Sequence, residues 1–119
     1  DNGTKQTIGD TFSKDHYLCD THTAVAVNVY RQYKEATGDE TKTVIASTAS
    51  PYKFASSVLG AITDQIPEDE YAQIDELNRI SGLPVPKALA ELKNKPVRFT
   101  GSIEKAEMED TVLKLLGIG

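Results

Sequence analysis

A chain of 119 residues and 13.0 kDa is the size of one small domain. Thirteen basic residues against eighteen acidic ones give a formal net charge of −5, which excludes the lysine- and arginine-rich class that holds nucleic acid by displacing counterions. With 39% hydrophobic residues and one cysteine, Cys19, the chain has no window near the roughly 18 apolar residues of a membrane span, and it can form neither an internal disulfide nor a cysteine-built metal site.

In chain order, Ile8 and Phe12 stand four apart and predict a short helix from Lys5 to about Lys14. Tyr17-Leu18-Cys19 is a brief apolar run. Asp20 or Thr21 is then placed to cap a helix reaching about Ala36, because a side-chain oxygen there can accept from the free N–H groups of the first turn. Val25, Val29, Tyr30 and Tyr33 form its apolar stripe and Gly38 its stop. Thr43–Ser47 is short, rich in β-branched residues and flanked by turn formers, so it predicts a buried strand.

Ser50-Pro51 breaks that run, and Ala55–Ile62 predicts a helix. Pro67, followed by Glu68, Asp69 and Glu70, predicts another helix start, with Tyr71, Ile74, Leu77 and Ile80 inward and Gly82 at the end. Lys87–Asn94 predicts a short helix with Ala88, Leu89 and Leu92 inward. Val97–Thr100 alternates like a strand or an extended edge. Ser102 is positioned to cap a last helix in which Met108, Val112, Leu115 and Leu116 share one side, ended by Gly117. The order predicts an α/β fold with few strands packed with several helices. Two strands make a poor sheet alone, so Val44–Ser47 is expected to join a larger sheet, and the opening at Asp1 suggests a piece of something longer.

Two segments carry residues suited to chemistry. Ser47, Thr48 and Ser50 follow the expected strand, where ligands bind in open α/β sheets. Hydroxyls both donate and accept, and Lys53 adds a mobile cation; equally, Ser and Thr are ordinary turn residues. Asp20-Thr21-His22-Thr23 opens a helix whose N–H groups and dipole favour an anion, and it is also a plain N-cap with His22 beside it. The acids at Asp64, Glu68, Asp69, Glu70, Asp75 and Glu76 read as a solvated helix face. Cys19 reads as a buried structural thiol. His16 and His22 lack the i, i+4 spacing of a helical zinc pair.

Taken together, Asp20-Thr21-His22-Thr23-Ala24-Val25 and Thr48-Ala49-Ser50-Pro51-Tyr52-Lys53-Phe54 resemble the C-terminal part of the threonine synthase family. Its members carry an Asp-Pro-His-Thr-Ala-Val-type helix start followed by Thr-Ala-His-Pro-Ala-Lys-Phe. Thr21 stands where proline is usual, Ser50 where histidine is, and Tyr52 where alanine is. The matched core runs from about Thr11 to Ile62.

The resemblance implies the C-terminal portion of a fold type II catalytic domain, like that of tryptophan synthase β, with residues 1–119 as a fragment whose upstream part is missing. It implies a pyridoxal 5'-phosphate enzyme, a carbon–oxygen lyase that converts O-phospho-L-homoserine and water to L-threonine and phosphate in threonine biosynthesis. Thr48 matches the hydroxyl that faces the pyridine nitrogen of the cofactor, with Ser47 as its reserve. His22 and Lys53 are placed next to the substrate. The family's Schiff-base lysine and phosphate-binding loop lie upstream, so no catalytic residue is expected in these residues and the isolated piece is expected to be inactive. Its expected partner is the missing N-terminal part of the same chain, with self-association of the piece and a cytoplasmic location. The alternative is a stand-alone acidic interaction or regulatory module working through Glu68–Ser81.

Overall fold

The computed structural model describes residues 2–118. Among them are six α-helices: α1 (Asn2–Asp15), α2 (Thr21–Thr37), α3 (Ala55–Ile62), α4 (Glu70–Ser81), α5 (Lys87–Leu92) and α6 (Met108–Leu116). Single 3-10 turns at Pro51–Phe54 and Lys105–Glu107 lead into α3 and α6.

Local chemistry sets most of the boundaries. The Asp20 carboxylate caps α2, accepting from the backbone N–H of His22 at 2.8 Å and of Thr23 at 3.3 Å. At the far end Gly38 turns to φ 70° and returns its N–H to the Lys34 carbonyl, a conformation that costs glycine nothing because it has no Cβ. Helix α4 starts at Glu70 rather than at Pro67, because Asp69 supplies a carboxylate to the Ala72 N–H at 2.8 Å. A side chain that satisfies an orphan donor fixes the start more firmly than a preset φ. The turn before α6 begins at Glu104, not Ser102. The Glu104 N–H donates to the Glu107 carboxylate at 3.0 Å.

The core lies where α1, α2, α3 and α4 meet. Ile8, Cys19, Ala24, Val58, Leu59 and Leu77 are completely buried, and Ile74, Ile80 and Leu89 pack around them. Helices α1 and α3 approach closely at Gly9, where an added Cβ would sit 2.8 Å from the Ala61 carbonyl oxygen. Tyr52 fastens the α3 entry to the α4 exit by donating its hydroxyl to the Leu83 carbonyl.

The expected strands are corrected. No strand forms among the described residues, and within them the architecture is helical rather than α/β. Residues 43–47 and 97–100 lie outside any regular element; Val44 is 95% exposed, and Val97 and Phe99 are exposed too. β-branched residues favour extended backbone, but a strand exists only when a neighbour takes up its N–H and C=O groups, and no described segment lies alongside to do so.

The chain extends over 58 × 33 × 24 Å with a radius of gyration of 19.0 Å, against about 13.5 Å for a compact chain of this length. Its accessible surface is 9091 Å², where about 6,300 Å² is usual for this mass. Every residue from 91 to 110 is exposed, and α6 carries Met108, Val112, Leu115 and Leu116 uncovered. The apolar stripe of α2, with Val25, Val29 and Tyr33, also faces away from the core. No described helix is long and apolar enough to cross a membrane.

Candidate functional site

The N-terminus of α2 and the segment leading into α3 meet through Thr23 and Ser47 and through His22 and Phe54, and Asp20 lies under the first of these contacts. This carboxylate is 1% exposed. One oxygen holds the two backbone N–H groups of the cap, and the other accepts the Thr23 hydroxyl proton. Burial pushes the Asp20 carboxyl up, but the Thr23 hydroxyl and the His22 and Thr23 backbone donors outweigh it and hold the group below its ordinary value. Asp20 is therefore an anion at neutral pH.

Thr23 reaches on to Ser47, with 3.0 Å between the two hydroxyl oxygens. A hydroxyl has one proton. The carboxylate can only accept, so the Thr23 proton goes to Asp20 and Ser47 is the donor to Thr23. A directed line of hydrogen bonds thus runs from Ser47 through Thr23 to Asp20. Thr48 follows in the chain, exposed and outside this line of hydrogen bonds.

His22 and Lys53 converge on Phe54. The imidazole, 68% exposed, lies with its ring centroid 5.1 Å from that of Phe54, and its Nδ1 is 3.4 Å from Asp20 Oδ1. Lys53 Nζ stands 6.0 Å from the same phenyl centroid, at the outer limit of a useful cation–π contact. Two hollows flank this group. One, of about 450 Å³, is lined by Lys5, Thr21, His22 and Ser57; the other, of about 370 Å³, by Lys53, Ser57, Glu70 and Tyr71.

All four residues singled out in the sequence therefore fall in the region where α2 meets the turn into α3. Ser47 is joined to Asp20 by hydrogen bonds, His22 and Lys53 are gathered at Phe54, and Thr48 is left open. Thr23, the link between the two segments, is not marked as such by the sequence pattern. A hydroxyl at the third position after an Asp cap is visible there, but its partner 24 residues on is set by tertiary structure. Ser50 has a local role: its hydroxyl accepts from the Tyr52 N–H at 3.3 Å and caps the 3-10 turn.

These features define a helical segment that presents a hydroxyl-rich turn, latched to a buried helix cap and flanked by an imidazole and an ammonium. The family described as threonine synthase, C-terminal, matches residues 23–112, and the chain belongs to the threonine synthase family through this C-terminal region. Threonine synthase from Corynebacterium glutamicum is 38% identical over 80 residues, a stretch that covers 66% of this chain and 16% of that protein. The chain thus spans less than a fifth of the relative it matches.

Proposed function

We propose that these residues form the C-terminal part of the catalytic domain of a threonine synthase of fold type II, a lyase that turns O-phospho-L-homoserine and water into L-threonine and phosphate with pyridoxal 5'-phosphate. The observation that carries the reading is the match of residues 23–112 to this family. The ring contact between the two motif segments at His22 and Phe54, and the Thr23–Ser47 bond just ahead of the second motif, support it.

The residues suit the cofactor. Thr48 offers an exposed hydroxyl that can donate to an unprotonated ring nitrogen or accept from a protonated one. Asp20 is the nearby carboxylate that would force protonation if it reached the ring. It is buried and engaged by three donors, so it leaves that position to the neutral hydroxyl. When bound, the cofactor supplies an electron sink conjugated to the substrate amino acid. This chain's part is to set the polarity at the ring nitrogen through Thr48, with Ser47 behind it. His22 and Lys53, gathered at Phe54, are read as residues next to the substrate, with Lys53 either meeting an anion or supporting the loop.

The stripe of Val25, Val29 and Tyr33, the exposed Val44, and α6 are read as faces that pack on the rest of the enzyme. Burying them there accounts for the surplus accessible area. On this reading the segment at 43–47 gains strand neighbours from the upstream part, and the isolated piece is inactive and prone to self-association. The test is a product assay on the complete enzyme. O-phospho-L-homoserine should yield L-threonine and inorganic phosphate in equal amounts; phosphate without threonine, or no turnover of this substrate by a cofactor-loaded enzyme, removes the proposal.

A further inference from the structure

We infer that Asp20 is a positioning residue for His22: it holds the proton of the neutral imidazole on Nδ1 and so leaves Nε2 as an acceptor. The tautomer follows from contacts inside this chain; its use toward substrate rests on the reading above, in which His22 lies next to it. A neutral imidazole carries one N–H and one lone pair, and the partner of one nitrogen decides which of them it bears. Nδ1 stands 3.4 Å from Asp20 Oδ1, on a carboxylate whose side chain is completely buried, while the imidazole is 68% exposed. That separation is longer than a well-formed hydrogen bond, so charge makes the choice. A lone pair on Nδ1 would face an anion that water does not reach; an N–H there turns the positive end of its dipole to the same anion. Charge acts more strongly on a near neighbour where solvent does not screen it. An open, solvated ring has no such partner, and its proton favours Nε2.

Both sides of this pair are held. Asp20 is anchored by the His22 and Thr23 N–H groups and by the Thr23 hydroxyl. The imidazole packs on Phe54 with centroids 5.1 Å apart and planes tilted by 57°, within the range of an aromatic pair. None of these contacts uses residues 43–47, the stripe of α2 or α6, the parts read as covered by the rest of the enzyme. The chemical consequence is specific. Neutral His22 has no N–H on Nε2 to give to a phosphate oxygen; it accepts there, from a water or from a substrate ammonium. The cations around it, Lys5 in the same hollow and Lys53 at Phe54, are donors only, and the accepting nitrogen complements them.

The chain has two histidines, so selective nitrogen-15 labelling leaves two imidazoles to read. His16→Asn tells them apart, with a residue that tolerates the φ of 53° at that position. In alkaline buffer, a two-bond proton–nitrogen correlation spectrum of this chain should show a protonated Nδ1 and a bare Nε2 for His22, the reverse of free histidine. Asp20→Ser keeps a capping oxygen but removes the carboxylate, and should return His22 to the free pattern. A proton on Nε2 in the wild type overturns the inference, and so does an unchanged tautomer in Asp20→Ser. If Asp20→Ser does not fold, the wild-type spectrum decides without it. In the complete enzyme, Asp20→Ser and His22→Ala should each lower kcat/KM for O-phospho-L-homoserine roughly tenfold, the worth of one hydrogen bond, and together no more than His22→Ala alone. Losses that multiply overturn the positioning role. An unchanged kcat/KM in His22→Ala overturns the placement of His22 beside substrate, while the tautomer read in this chain stands.

Discussion

The Tyr52 hydroxyl donates to the Leu83 carbonyl oxygen at 2.6 Å, joining two residues 31 apart in sequence. Asn78 Nδ2 donates to the same oxygen at 2.5 Å. Tyr52→Phe keeps the ring in the core and leaves the acceptor with one partner, so the loss should be that of a single hydrogen bond. We expect about 1 kcal/mol of destabilisation, read from the urea midpoint at unchanged slope. A loss of about 3 kcal/mol would mean that the ring, not the hydroxyl, had moved.

Gly9 is glycine because α1 crosses α3 there. Gly9→Ala puts a methyl 2.8 Å from the Ala61 oxygen, backbone that cannot swing aside, and should cost about 1–3 kcal/mol. Gly101→Ala is the control: nothing lies within 4 Å of its would-be Cβ, and the expected change is within about 0.5 kcal/mol. Thermal unfolding of the two variants side by side decides it.

Asp20 gives the fold an acid limit. Its folded pKa lies below the ordinary carboxylate value, so the folded state binds this proton less readily than the unfolded chain. The stability it contributes is complete above the unfolded value, about 4, and is lost as pH falls through the lower folded one. Asp20→Asn removes this dependence. Unfolding free energy measured from pH 6 downward should fall less steeply in the variant than in the wild type below about pH 4, while the variant is weaker at pH 6.

Cys19 is fully buried, and burial is the main cause pushing its thiol above the usual value. It should stay protonated at neutral pH and react slowly with a thiol reagent until the core opens. Labelling in native buffer should lag that in urea by orders of magnitude; equal rates would contradict the burial.

How much of this was legible in the residues varied with the range of the forces involved. The cap at Asp20 or Thr21, which the structure gives to Asp20, the caps at Gly38 and Gly82 and the span Ala55–Ile62 were readable because a helix is settled by neighbours three or four residues apart. The inward face of α4 was readable for the same reason, and Leu77 is its buried centre. Thr43–Ser47 looked like a strand because side-chain shape records backbone preference, whereas pairing depends on a partner that the pattern does not contain. The stripe on α2 was visible as a stripe, but not that it faces away from the core. At the site, residue types and motif spacing were visible, while the Thr23–Ser47 contact and the Phe54 contacts of His22 and Lys53 exist only after folding.

The most direct measurement is complementation. This chain, folded by circular dichroism, is titrated into the separately prepared upstream remainder of a threonine synthase, and formation of L-threonine from O-phospho-L-homoserine is followed. Neither piece alone should form product, and the activity of the mixture should rise to a plateau at one chain per remainder. Turnover by this chain alone, or none from the mixture of two folded pieces at any ratio, would contradict it.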